Sequence, residues 1–340
     1  MERLISLSDL TTLRLGGPPA RMVEARSEGE LAELVRSAYE PLLVLAGGSN
    51  VVVADSGFPG TVVRVLTRGV RRDADRLEVQ AGEPWDELVA DCVARGLQGF
   101  ECLSGIPGST GATPIQNVGA YGQEVAETVE SVRVLDRASG QISELPAAEC
   151  GFTYRSSIFK HRDRHVVLAV TFRMPESELS GPVRYAELAR ALDVPVGGSA
   201  PLADVREAVL ALRRGKGMVI DPEDPDSVSA GSFFTNPILE PAGFALLQSR
   251  TGDAGSPPAW PEPDGRIKTS AAWLIERAGF SRNYGNGRVG ISSKHTLALV
   301  NRGGATTVEL MALAREIAGG VQERFGVRLV PEPVLVGHDW

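Results

Sequence analysis

Five short segments of this 340-residue chain gather residue types that can do chemistry. Two are rich in glycine. One is Gly47-Gly48-Ser49-Asn50-Val51; the other runs from Gly105 through Pro107-Gly108-Ser109-Thr110-Gly111-Ala112 and Ile115-Gln116-Asn117-Val118-Gly119-Ala120-Tyr121 to Gly122. Glycine lets a backbone turn tightly and meet a ligand without a Cβ in the way, and successive N–H groups can form a nest for an anion. Two tight turns are the plainer reading, but the second segment is too long and too apolar for a solvent loop.

The third segment, Gly151 to Lys160, sets Arg155 among Phe152, Tyr154, Ile158 and Phe159. A cation left alone there is costly, so Arg155 has either a structural carboxylate or an anionic ligand. The fourth is Gly231-Ser232-Phe233-Phe234-Thr235-Asn236-Pro237. Ser232 is a turn or cap residue or, given the two aromatics behind it, part of a pocket wall. In the fifth, Glu332 stands between Pro331 and Pro333, a rigidly placed carboxylate that is either paired within the fold or used in chemistry.

Other matches fail on context. Gly285 to Gly290 reads GxGxxG, but a helix precedes it and the strand-like Ile291–Val300 region follows, the reverse of a dinucleotide-binding turn. Ser157-Ile158-Phe159-Lys160 reads SxxK but lies between apparent strands, without SDN or KTG companions. GxSxG is absent, and His161, His165, His295 and His338 lack zinc-ligand spacing, so no metal is expected.

The elements that must position these residues read as mixed α and β. Strands are expected at Leu42–Val44, Val51–Ala54, Thr61–Leu66, Arg76–Ala81, Val132–Leu135 and Val166–Phe172. Ser27 and Glu30 cap a helix carrying Leu31, Leu34 and Val35; a second opens at Pro84, buries Trp85, Leu88, Val89 and Cys92, and stops at Gly96. Pro201 opens a helix ending at Arg213, Arg214 and Gly215, and Asp221–Ser232 reads as a domain boundary. Beyond it come helices at Ser270–Ala278 and after Thr306, and strands at Thr296–Val300, Val327–Val330 and Val334–Val336.

Length predicts two or three domains, and 43% hydrophobic with 23% charged residues is ordinary for a globular chain. A formal charge of -8 with interspersed signs argues against a nucleic-acid partner. Met1-Glu2-Arg3-Leu4 opens no apolar leader, and no apolar run reaches the roughly 18 residues of a membrane helix. Cys92, Cys102 and Cys150 form no CxxC pair, which fits a reducing cytoplasm.

At these five segments, and nearly end to end from Thr12 to Gly337, the sequence resembles the UDP-N-acetylenolpyruvoylglucosamine reductase (MurB) family, type I. The resemblance implies an α+β chain: a two-subdomain FAD-binding fold of the vanillyl-alcohol-oxidase (PCMH) type plus a C-terminal α+β substrate-binding domain. It implies FAD-binding subdomains at 1–67, completed by 326–340, and at 68–217, with the substrate domain at 218–325. Non-covalent FAD would be held by Gly47, Gly48, Ser49, Asn50 and Val51 and by Pro107, Gly108, Ser109, Gly111, Ala112, Ile115, Gln116, Asn117, Gly119 and Ala120. Arg155 would bind the enolpyruvyl carboxylate, Ser232 give a proton to C2, and Glu332 help stabilise the enol. Tyr121, Tyr185, Arg213, Lys216 and Asn236 would contact the UDP-sugar, with NADPH as co-substrate and a cytoplasmic monomer expected. Another flavin oxidoreductase of this fold, or a non-catalytic UDP-sugar-binding protein, are the alternatives.

Overall fold

The computed structural model describes residues 5–38, 41–285 and 287–340. Met1 to Leu4, and Asn286 within the GxGxxG match, lie outside the described residues. The chain divides into two compact units: Pro19–Gly48 with Phe58–Val219, and Met1–Pro18 with Ser49–Gly57 and Ile220–Trp340. The division at Val219/Ile220 falls beside the expected start of the substrate domain at 218, whereas residues 1–67 are shared between both units.

In the unit holding the long glycine-rich segment, β-branched runs form two sheets. A parallel sheet has the order Pro19–Ala25, Phe58–Val65, Leu42–Leu45. An antiparallel sheet runs Ile142–Pro146, Val129–Asp136, His165–Arg173, Arg76–Gln80, Val70–Asp73. The Glu28–Ser37 helix starts where Ser27 accepts from the Glu30 N–H at 3.2 Å, the cap expected from sequence. The Trp85–Ala94 helix buries Trp85, Leu88, Val89 and Cys92. Trp85 packs on Phe100 with centroids 4.7 Å apart, and Phe100 meets Phe172 edge-on at 4.9 Å. Each fully buried large side chain contributes on the order of 1.5–3 kcal/mol, so this aromatic cluster fixes the base from which the 105–122 segment springs.

In the other unit the Thr307–Phe325 helix opens on a reciprocal capping box. Thr306 accepts from Glu309 N–H at 3.2 Å, and Glu309 accepts from Thr306 N–H at 2.8 Å. It buries Leu310, Ala314 and Ile317 in one core with Val289, Ile291 and Leu299. Val51–Val53 pairs in parallel with Val334–Val336, so the last strand returns to a segment of the first sixty residues.

One sequence expectation needs correction. Val327–Val330 is not a strand of a sheet, although Val327 and Leu329 are buried in the alternation that suggested one. Its far end is tied to the Phe233 segment by Thr235 N–H to Val330 O at 3.1 Å and Glu332 N–H to Phe233 O at 2.8 Å, and Pro331, which has no N–H, limits the pairing to a bridge with Phe234. Asp221–Ser232, the expected boundary, begins beside the division at Val219/Ile220 and has structure of its own: Asp224 caps a turn at Pro225–Ser227, and Ser229–Ser232 pairs with Ala298–Asn301. Small residues in that strand hid its signal. The GxGxxG glycines run directly into the Val289–Ile291 strand, paired antiparallel with Ala298–Asn301. Among the described residues no helix is long and apolar enough to cross a membrane.

Candidate active site

Gly47, in the part of the short glycine-rich segment that belongs to the first unit, meets the long segment there. A Cβ on Gly47 would lie 2.6 Å from the Cα of Gly108, and one on Gly111 would lie 2.5 Å from the Ala81 Cβ. Gly48 and Gly108 hold φ of +61° and +120°, values that side chains resist. Backbone bonds pin the run: Trp85 N–H donates to Gly108 O at 3.0 Å, Thr110 N–H to Glu83 O at 2.8 Å, and Gly111 N–H to Ala81 O at 2.8 Å. Asn117 is buried at φ +45°; its amide donates to Glu124 at 2.7 Å and Thr153 O at 3.1 Å, and its oxygen accepts from Ala126 N–H at 3.1 Å. This packing sets the two segments side by side with no room for a side chain at Gly47 or Gly111, and exposed N–H groups on such turns are what a cradle for a diphosphate requires.

Arg155 stands beside this cradle at φ +52°. Its Nη2 donates to Gly119 O at 2.7 Å, and its guanidinium lies 5.2 Å from the Tyr154 ring centroid. Ser157 and Lys160 explain the SxxK match structurally: the Ser157 hydroxyl donates to Ile115 O at 2.6 Å and the Lys160 ammonium to Arg155 O at 3.0 Å. A second group lies in the same unit. Tyr121, at φ +50°, meets Tyr185 edge-on with centroids 5.5 Å apart. Lys216 Nζ sits 5.4 Å from the Tyr121 ring and 2.5 Å from a Glu187 oxygen.

Ser232 and Glu332 share the other unit. Ser232 ends its strand opposite Ala298, with Gly231 before it at φ +73°. Phe233 N–H donates to Leu297 O at 2.7 Å, and Glu332 N–H donates to Phe233 O at 2.8 Å. The segments of Ser232 and Glu332 are therefore one backbone bond apart. Asn50 Nδ2 donates to Glu332 O at 3.4 Å, and Asn236 Oδ1 accepts from Ala271 N–H at 3.0 Å, at the start of the Ala271–Arg277 helix.

Family models match two stretches: an FAD binding domain over residues 19–146, and the UDP-N-acetylenolpyruvoylglucosamine reductase C-terminal domain over 223–336. The UDP-N-acetylenolpyruvoylglucosamine reductase of Salinispora arenicola is 61% identical over 97% of this chain and 94% of its own length. That of Thermobifida fusca is 58% identical over 98% of each. The chain belongs to the UDP-N-acetylenolpyruvoylglucosamine reductase family. The crystal structure of the Thermus caldophilus reductase superposes with a TM-score of 0.68 at 26% identity, covering 98% of this chain and 97% of that one. The chain is thus an α+β oxidoreductase with an FAD-binding domain of the PCMH type, working with FAD and with NADPH as reductant.

Electrostatics in this reductase separate usable groups from inert ones. Burial pushes the Cys92 and Cys102 thiols up to about 12 and Cys150 to about 11, which removes all three as nucleophiles. Burial also raises the Tyr121 phenol, against the pull of Lys216 and Arg213. For Lys216, burial is outweighed by the Glu187 carboxylate, so its pKa lies above the ordinary lysine value and the ammonium stays charged. Arg213 is 8% exposed and donates to Gly105 O at 3.3 Å and Met218 O at 2.8 Å. Sequence reasoning missed Glu187, Asp86 and Asp226, which hold Lys216, Gly105 and Ser293 respectively. Lone carboxylates on helices and turns carry no local signal, because their partners are distant in sequence.

Proposed function

We propose that this chain reduces the enolpyruvyl group of UDP-N-acetyl-3-O-(1-carboxyvinyl)-glucosamine to UDP-N-acetylmuramate, in peptidoglycan precursor synthesis. Across the substrate's double bond C3 gains a hydride and C2 a proton, while NADPH becomes NADP⁺. The observation that carries the reading is the backbone-to-backbone approach of Gly47 and Gly108, with the Arg155 guanidinium bonded to Gly119 on the same segment. An FAD held by these residues would supply the hydride chemistry at C3, with NADPH as the reductant.

The chain's own residues then have three tasks. Arg155 binds the substrate carboxylate and stabilises the charge that develops toward it, which a guanidinium does through two parallel hydrogen bonds. Ser232 delivers the proton to C2; even a weakly acidic hydroxyl suffices against so basic a carbon, provided it is held within about 3 Å. Glu332, held in place by its N–H bond to Phe233 O, helps stabilise the enol. Tyr121, Tyr185, Lys216 and Asn236 hold the UDP-sugar, with the charged Lys216 suited to a diphosphate. Ser49, Asn50, Val51, Pro107, Ser109, Ala112, Ile115, Gln116 and Ala120 complete the set assigned to FAD. A monomer in the cytoplasm, divided at 1–67 with 326–340, 68–217 and 218–325, completes the proposal.

An absorption spectrum tests it. Purified protein should be yellow, NADPH should bleach it without oxygen, and the enolpyruvyl sugar should restore the band. A colourless protein that cannot be reconstituted with FAD overturns the assignment.

A further inference from the structure

Gly105 opens the flavin segment, and charged side chains hold both of its polar backbone groups. Its N–H donates to Asp86 Oδ1 at 2.6 Å. Asp86 is in turn gripped by Arg206, whose two nitrogens donate to its oxygens at 2.7 and 3.1 Å. The carbonyl of Gly105 accepts from Arg213 Nη2 at 3.3 Å, and the same nitrogen reaches Met218 O at 2.8 Å. Gly105 sits at φ +71°, and a Cβ there would come within 2.8 Å of Leu210 Cδ2. Arg206, Leu210 and Arg213 all belong to the Leu202–Arg214 helix, and Asp86 to the first turn of Trp85–Ala94.

A buried guanidinium is costly unless its donors are used and a counter-charge is near. Among the described residues no carboxylate forms an ion pair with Arg213, and its Nε has no partner. What it holds is backbone: the first carbonyl of the cradle and a carbonyl beyond its own helix. Asp86 supplies the compensating negative charge from the other side of the same glycine. Three residues further along the segment, Gly108 O accepts from Trp85 N–H at 3.0 Å, so the Asp86 helix grips the segment at two points.

From this we infer that Asp86, Arg206 and Arg213 form a charged clamp that sets the conformation of the flavin segment at Gly105. Arg213 is then a positioning residue for FAD binding and not a contact of the UDP-sugar. The inference rests on reading Gly105–Gly122 as the flavin cradle.

The test uses holoenzyme and two separate affinities. FAD dissociation is followed by flavin fluorescence on dilution. UDP-N-acetylmuramate binding is followed by perturbation of the flavin band at saturating FAD. Asp86→Asn and Arg213→Met should each raise the FAD dissociation constant about ten-fold or more, since each weakens a charge-assisted hydrogen bond. They should also change the visible circular dichroism of the bound flavin, which a mere loss of fold stability would not alter. Sugar affinity should stay within about three-fold. Arg206→Gln, which leaves the Asp86–Gly105 bond in place, should give a smaller FAD effect of the same sign, and decides the matter if Arg213→Met does not fold. Wild-type-like FAD retention in all variants, or an Arg213→Met variant that loses sugar affinity alone, overturns the clamp. A wild-type protein with no flavin at all would instead overturn the cradle reading itself.

Discussion

The unit that carries Arg155 and the unit that carries Ser232 hold their functional residues by different means. Around the cradle the backbone itself is unusual: Asn117, Tyr121 and Arg155 all have positive φ, as do Gly48, Gly105, Gly108 and Gly122. A non-glycine residue in that region costs of order 1–3 kcal/mol and persists only where its surroundings over-determine it. The Asn117 side chain shows how, satisfying Glu124, Thr153 and Ala126 together. Around Ser232 the holding device is ordinary strand register, with Ser232 opposite Ala298 and Phe233 bonded to both Leu297 and Glu332. The lesson is that a cradle built from strained backbone tolerates no added atom. A side chain presented by a strand can be removed with its neighbours left in place.

The largest effect should come from the strand-held side. Ser232→Ala leaves the register intact, so NADPH should still bleach the flavin at nearly the normal rate. Reoxidation by the enolpyruvyl sugar should slow by roughly 10²–10⁴-fold, the usual loss when a general acid is removed. Stopped flow on the flavin band separates the two half-reactions. Equal slowing of both would mean that Ser232 shapes the pocket, and the contrast between the two units would lose its chemical side.

Arg155→Lys comes next, at a residue that the strained-backbone unit itself carries at φ +52°. Lysine keeps the charge but not the planar fork, so kcat/KM should fall by about 3 kcal/mol, or roughly 10²-fold. The flavin should stay bound, even though the bond to Gly119 O is lost. Should the variant purify without flavin, Arg155 is a strut of the cradle and its catalytic role is secondary.

Gly47→Ala tests the cradle directly. The new Cβ would stand 2.6 Å from Gly108 Cα, backbone against backbone, with no flexible side chain to yield. Overpacking of this kind costs about 1–3 kcal/mol, which is roughly 10–10²-fold in FAD affinity. Equilibrium dialysis of flavin measures it. Gly29, whose Cβ would meet nothing within 4 Å, is the control: Gly29→Ala should bind FAD as the wild type does.

Most elements were legible because their signals are local. Ser27 with Glu30, and Thr306 with Glu309, cap the helices they announce. The candidate residues were legible as types, and Gly47 and Gly108 as glycines that must serve a purpose. What sequence could not supply was tertiary. Nothing near Gly47 tells that it touches Gly108, and nothing near Arg213 tells that its guanidinium turns inward to Gly105. Val327–Val330 misled because burial alternates there, whereas Pro331, which limits the pairing to a bridge, lies just beyond. Positive φ at Asn117, Tyr121 and Arg155 was equally hidden, since only long-range contacts can impose it.

The smallest effect sharpens the account of the strand-held side. Asp226, 8% exposed, precedes the Ser229–Ser232 strand and accepts from Ser293 twice, through N–H at 3.0 Å and through the hydroxyl at 2.5 Å. Burial alone would raise its pKa, but the Ser293 bonds and the nearby Lys294 outweigh it, and the carboxyl lies below its ordinary value. A carboxylate with a depressed folded-state pKa stabilises the fold above its unfolded pKa of about 3.9, and that contribution is lost as pH falls through the folded value. Asp226→Asn keeps the shape but gives up the charge, at a cost of about 1 kcal/mol, or roughly 2–4 °C in melting temperature. Melts of both proteins should therefore differ at pH 7, and the gap should close only below about pH 4. Flavin content should be unchanged, because Asp226 holds the Ser293 turn and not the cradle. A gap that persists undiminished into acid would show that the asparagine acts by disturbing packing, and that the register around Ser232 does not depend on this charge.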